Sequence, residues 1–312
     1  MSADLVIAAA RLWRSLVRIA PALTIAGACG CACDGNGAAP PMPSAGATGD
    51  AAPAAVVKTR VTYGEAPQQF GDLRVPGGKG PHAVAVVIHG GCWTSQYGLD
   101  LMDEMSESLA RTGLATWNIE YRRLGDPGGG YPNTLTDVGA AIDALRTLAP
   151  DHGLDLANVI TIGHSAGGHL GVWAAARPKL PATSAIRGAN PLPIRAAIAL
   201  AGVLDLSESI DLGVCSGLAA KLVGGTPAEA GALYAETSPR ALLPIGVRQR
   251  LIHGTADPLV PFIMSEHYQS AAKAAGETVE LLQIPGGDHF DLIEPSSPKW
   301  KDVEAGILGA LP

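Results

Sequence analysis

A chain of 312 residues is long enough for one large α/β domain with attachments and needs no second core. With 47% hydrophobic and 16% charged residues it can bury a sizeable two-faced sheet, which excludes wholesale disorder. A formal charge of -7 and the lack of any long Lys/Arg run exclude the basic footprint that phosphate-backbone binding needs, so no nucleic-acid partner is expected.

The first 33 residues stand apart. Arg11, Arg14 and Arg18 precede an uncharged, mostly apolar run from Ile19 to Ala28 that stops at Cys29, the layout of an export signal. That run is about ten residues, too short to cross a ~30 Å hydrocarbon core as a helix. Ile25-Ala26-Gly27-Ala28-Cys29 resembles a bacterial lipobox, which implies a lipidated Cys29 and membrane attachment through it; plain secretion stays open beside it. Either outcome places the protein in the periplasm, at the cell surface or outside the cell. Cys29, Cys31 and Cys33 alternate, but no second Cys cluster returns to complete a metal site. Residues 34–55 are mostly Gly, Ala, Pro, Ser and Asn and read as a flexible linker, because they carry too little apolar surface to offset ordering. Residues 56–312 are then the folded domain, in which only Cys92 and Cys215 remain, so no disulfide framework is expected.

Within that domain short β-rich runs alternate with helical stretches, the pattern of a mostly parallel sheet covered on both faces. Val57–Tyr63 and Gln69–Val75 read as antiparallel leading strands. Val84–His89 is a continuous apolar run, as expected of a strand buried on both faces. A helix is expected over Leu99–Arg111 and a strand over Leu114–Glu120. Leu135, Val138, Ile142 and Leu145 lay an apolar stripe along an expected helix from Thr134 to Leu148. Further strands are read at Val159–Gly163, Ile194–Ala201, Gln249–His253 and Thr278–Ile284, with helices at Ala166–Ala176, Pro261–Ala275 and near the C-terminus. Leu204 to Pro244 is long for a connection and reads as one or two helices forming a partial lid, with too few bulky apolar residues for a long-chain lipid tunnel.

Chemistry concentrates at the carboxyl ends of these strands. Gly163-His164-Ser165-Ala166-Gly167 follows an apolar strand and opens a helix, the context in which G-x-S-x-G lifts a serine hydroxyl above the sheet edge. The Ala166 amide, at the helix start, suits a developing oxyanion. His89-Gly90-Gly91-Cys92-Trp93 follows the buried strand and matches an H-G-G oxyanion loop, which offers the amides of Gly91 and Cys92 and leaves His89 to hold the loop. A serine nucleophile needs a base and an orienting acid in the order Ser, Asp, His; Asp257 and His289 each follow a late strand and fill that order, with Asp205 as the rival acid. His164 is expected to point away from the pocket. Trp93 is placed in the substrate pocket, where it stacks on an aromatic group. No H-E-x-x-H run or phosphate-binding loop is present, so no metal is expected.

Together with Glu120-Tyr121-Arg122, Tyr131-Pro132, Gly168-His169-Leu170 and Asp288-His289-Phe290, these motifs resemble the α/β-hydrolases that include kynurenine formamidases and feruloyl-type carboxylesterases. The resemblance runs from about Val57 to the C-terminus. It implies a three-layer α/β-hydrolase fold, a Ser165/Asp257/His289 triad, no cofactor, and a small-molecule ester or aryl-formamide substrate. The C-terminal loops also resemble prolyl oligopeptidase-like peptidases, although this chain lacks room for their propeller. The leader departs from the intracellular formamidases and favours an exported serine esterase; an amidase, a peptidase and a catalytically silent binding module on the same fold are the alternatives.

Overall fold

A computed structural model describes residues 55–311. The export signal, Cys29 and residues 34–54 of the expected linker lie outside the described residues. The chain divides into two units, Met1–Ala52 and Pro53–Pro312, and the second carries everything below.

Eight strands form one sheet: β1 (Val56–Thr62), β2 (Phe70–Pro76), β3 (His82–Ile88), β4 (Ala115–Ile119), β5 (Leu154–His164), β6 (Ala196–Leu200), β7 (Arg248–Gly254) and β8 (Val279–Ile284). Their order across the sheet is β1-β2-β4-β3-β5-β6-β7-β8. Strand β2 pairs antiparallel with β1 and β4, and every other neighbouring pair is parallel. This is the three-layer α/β-hydrolase fold. Alternation along the strands feeds two cores: Val84, Val86 and Ile88 enter one, while Ala85, Val87, Ile160 and Ile162 enter the other.

The second core is closed by α1 (Asp103–Arg111) and α9 (Trp300–Leu308), through Met105, Leu109, Val303 and Ile307. The first is closed by α2 (Asn133–Asp143), α3 (Leu145–His152) and α4 (Ala166–Ala176). Helix α4 is buried along its whole length, as a helix apolar all round must be. Between β7 and β8 lies α8 (Ile263–Ala274).

Three local differences from the sequence reading have physical causes. The stripe through Leu135 and Leu145 is cut by a turn at Ala144, and the second piece continues past Pro150 to a left-handed Gly153. Strand β5 begins at Leu154, well before Val159, because its pairing with β3 shifts register between Ala83 and Val84 and leaves residues 156–158 as a bulged turn in which Asp155 accepts from Ala157 N and Asn158 Nδ2. The lid contains three short helices rather than one or two: α5 (Leu206–Asp211), α6 (Leu218–Val223) and α7 (Pro227–Thr237). Among the described residues no helix is long and apolar enough to cross a membrane.

Candidate active site

The turn from β5 into α4 puts Ser165 at φ 56°, ψ −119°, a conformation costing on the order of 1–3 kcal/mol that persists only where the surroundings impose it. They do so here. Ser165 N donates to Leu200 O at 2.8 Å, while its carbonyl accepts from Gly168 N at 2.9 Å and Val203 N at 3.2 Å. Strand and helix approach so closely that a Cβ on Gly163 would lie 2.0 Å from Gly167 O, and one on Gly167 would lie 2.1 Å from Ile88 O. Gly90 backs onto the same turn, since a Cβ there would sit 2.9 Å from Ser165 Cβ and 2.8 Å from His164 O.

Asp257 and His289 come together from the ends of β7 and β8. His289 Nδ1 donates to Asp257 Oδ2 at 2.6 Å, which leaves Nε2 as the ring's acceptor. The other carboxylate oxygen accepts from Leu259 N at 2.8 Å and Val260 N at 2.9 Å. His253, fully buried beneath them, holds its Nε2 3.0 Å from Val260 O and 3.3 Å from Asp257 Oδ2, with Ser265 Oγ at its other nitrogen. Burial alone raises the Asp257 pKa, but hydrogen bonds from His253 and His289 overcome it and hold the carboxyl well below the usual carboxylate range. The rival, Asp205, is occupied as the cap of α5, accepting from Ser207 N and Glu208 N.

His164 does not turn away from this group. Its ring lies 4.4 Å from that of His289 and its Nε2 is 2.9 Å from the His289 carbonyl, so it supports the imidazole from beneath. Burial first, and the neighbouring His289 second, push its pKa well below the ordinary histidine value.

The loop after β3 runs through consecutive positive φ values at Gly91 (100°), Cys92 (53°) and Trp93 (57°). His89 holds it from within: Nε2 faces Glu120 Oε1 at 2.9 Å, and Tyr121 Oη donates to His89 O at 2.8 Å. Glu120 also accepts from Leu99 N and Arg123; burial alone would raise its pKa, but the His89 hydrogen bond first, then Arg123 and the Tyr121 amide, bring it below the ordinary carboxylate value. The amides of Gly91 and Cys92 thus belong to a braced loop whose Gly90 touches Ser165, and the Ala166 amide opens α4 beside it.

Two further expectations require correction. Trp93 is fully buried, and its indole N–H donates to His169 Nδ1 at 3.2 Å, while His169 Nε2 is 2.9 Å from Thr237 O. It therefore offers no face to a substrate; it ties the loop to α4 and the lid. Cys92 and Cys215 are joined in a disulfide, Cα atoms 5.5 Å apart across 123 residues of sequence, so Cys92 is not a free thiol and one covalent link does brace the fold. The signal was present: two cysteines alone in the body of a chain with an export-type leader. Among the described residues no group of three His, Cys, Asp or Glu side chains is arranged to hold a metal ion.

A family model described as BD-FAE matches residues 72–271. Among curated proteins, the chain is 27% identical over 249 residues to a probable isoprenylcysteine alpha-carbonyl methylesterase ICME of Oryza sativa subsp. japonica, covering 74% of this chain and 58% of that protein. It is 27% identical over 222 residues to esterase LipQ of Mycobacterium tuberculosis, covering 70% of this chain and 52% of that one. The chain therefore spans little more than half the length of these relatives. The crystal structure of esterase B from Lactobacillus rhamnosis matches with a TM-score of 0.70 at 22% identity, over 82% of this chain and 85% of that one, a likeness that shows the fold.

Proposed function

The chain belongs to the BD-FAE family, and on that premise we propose that it is a serine hydrolase of small carboxylic esters. The observation that carries the proposal is a serine at φ 56° on a strand-to-helix turn whose chain neighbour, His164, lies 4.4 Å ring to ring from a histidine with its Nδ1 fixed on a buried carboxylate at 2.6 Å. In this reading Ser165 Oγ attacks the ester carbonyl as His289 Nε2 takes its proton, and Asp257 holds the imidazole tautomer and stabilises the cation that forms. The amides of Gly91, Cys92 and Ala166 receive the oxyanion. His289 then returns the proton to the leaving alcohol, and a water activated by the same imidazole releases the acid from the acyl-enzyme. Ser165 and His289 are only 3% and 4% exposed, which supports a short acyl group over a bulky one.

A fluorophosphonate probe tests this reading. The wild type should label and should turn over p-nitrophenyl acetate or butyrate, and Ser165→Ala should lose labelling and about 10³ or more in kcat with its fold intact. A Ser165→Ala variant with full activity would remove the mechanism. A panel including aryl formamides and dipeptide amides ranks the substrate classes.

The proposal extends to location. Residues 1–33 act as an export signal, with Cys29 the lipidated anchor and residues 34–55 the linker to the catalytic domain at 56–312. The Cys92–Cys215 bridge supports this, because disulfides persist in oxidising compartments and are rare in the cytosol.

A further inference from the structure

We infer that Cys215 is a positioning residue for the reaction: through its bond to Cys92 it holds the oxyanion-loop backbone in the left-handed conformation that aims the Cys92 amide at the reacting carbonyl. The inference rests on the esterase reading above. Non-glycine residues avoid positive φ, because Cβ then crowds the backbone, and they remain there only where neighbours dictate it. Three consecutive residues have positive φ here, two of them non-glycine, and each has its own restraint. Gly91 needs little, being glycine, and its carbonyl is bonded by Thr94 N at 3.0 Å. Trp93 is clamped by full burial, by its indole bond to His169 and by Leu124 N at its carbonyl, 2.7 Å away. Cys92, between them at φ 53°, is only partly buried, and the restraint on its side chain is the sulfur bridge.

The far end of that bridge is suited to act as an anchor. Cys215 is buried in the lid, in the turn Val214–Gly217 between α5 and α6, where Cys215 and Ser216 themselves have positive φ. The lid around it is fixed to the body by bonds independent of the bridge: Tyr131 N to Leu222 O at 2.7 Å, Trp173 Nε1 to Glu236 O at 3.0 Å, and His169 Nε2 against Thr237 O. With the bridge opened, the lid keeps these attachments, whereas Cys92 loses its side-chain restraint and relaxes towards negative φ. A change of φ at residue 92 swings the 91–92 peptide plane, and with it the Cys92 N–H, away from the oxyanion. The bridge thus does for this loop what a glycine at position 92 would do, by restraint rather than by permissiveness.

That equivalence supplies the test. Wild type, Cys215→Ser and the double variant Cys92→Gly/Cys215→Ser are compared in kcat and KM for p-nitrophenyl butyrate, in fluorophosphonate labelling rate and in thermal midpoint. Cys215→Ser should lose about 10² in kcat, the effect of one lost oxyanion donor, with KM nearly unchanged. The double variant lacks the bridge equally, yet should regain at least about tenfold of that loss, because glycine adopts φ near 50° without a clash. A bridge that matters for stability alone would lower the thermal midpoint of both variants and leave their kcat values equal, which overturns the inference, as does wild-type kcat in Cys215→Ser. Should Cys215→Ser fail to fold, the folded wild type is reduced with a phosphine, capped with iodoacetamide and assayed below its melting temperature; unchanged kcat in the capped protein refutes the inference. Absence of probe labelling in the wild type overturns the esterase reading and this inference together, an outcome distinct from labelling that persists at an undiminished rate in Cys215→Ser.

Discussion

Replacing Gly167 by alanine should separate the strand-to-helix turn from general stability. The new Cβ would lie 2.1 Å from Ile88 O and 2.5 Å from His89 O, where ordinary contact begins at 3.4 Å. Both obstacles are backbone atoms of the sheet and the oxyanion loop, so neither can swing aside as a side chain would. Helix α4 must retreat by about 1 Å or more, carrying the Ala166 amide and the Ser165 hydroxyl with it, and a misplacement of that size costs on the order of 10² in rate, or about 2.7 kcal/mol of barrier. Overpacking should also remove about 1–3 kcal/mol of stability. The assay pairs kcat and fluorophosphonate labelling with urea denaturation, and Gly231→Ala in α7, where a Cβ meets nothing within 4 Å, is the control expected to behave as wild type. Wild-type kcat and labelling in Gly167→Ala would refute the reasoning, because the helix would then have accommodated the methyl without moving the reacting groups.

Asp257→Asn should lower kcat by about 10⁴ through the wrong imidazole tautomer, whereas Asp205→Asn should disturb only the cap of α5; the opposite ranking in steady-state assays would reassign the acid. Burial lowers the His169 pKa from 6.5 to about 4, so the fold favours the neutral ring: its contribution to stability is complete above pH 6.5, declines as pH falls through that range and is exhausted below about pH 4, a change of about 3 kcal/mol. Urea titrations at pH 7 and pH 4.5 should show that decline in the wild type and a shallower one in His169→Gln; identical declines would exclude His169 as the source. For the leader, Cys29→Ser should release the protein from the membrane fraction, and mass spectrometry of the mature N-terminus decides the point, since an unmodified Cys29 contradicts lipid anchoring.

Much of the fold was legible because it rests on local signals. The run Val84–Ile88 could only be a strand buried on both sides, and the small residues around Ser165 announced a turn too tight for side chains. The pairing of Asp257 with His289 followed from chain order and from two late strands ending beside each other. What stayed hidden depends on non-local packing. Trp93 read as a pocket wall because its motif gives its neighbours in sequence, whereas its burial is decided by His169 and a lid reached far along the chain. His164 was expected to face away from the pocket, yet the position of its ring depends on where the His289 loop lies, and no periodicity encodes that. The partnership of Cys92 with Cys215 was signalled by the cysteine count and the leader, but its place, with the lid returning over the oxyanion loop, is disclosed by neither cysteine's surroundings in sequence.

The same bridge bears on survival among proteases. The ring of chain it closes, from residue 92 to residue 215, contains β4, β5, β6, the Ser165 turn and an irregular segment, 181–190, most of whose residues are exposed. Exposed irregular chain is where proteolytic nicking concentrates. A cut anywhere in that segment opens the ring without freeing a fragment, because the two pieces remain joined through Cys92 and Cys215 as well as through the sheet. Nicked protein should therefore migrate as one species on a gel without reductant and as two with it, and should keep its esterase turnover until the bridge is reduced. Were the domain exported as proposed, the link inferred to hold one amide would then also convert a lethal cut into a tolerated one.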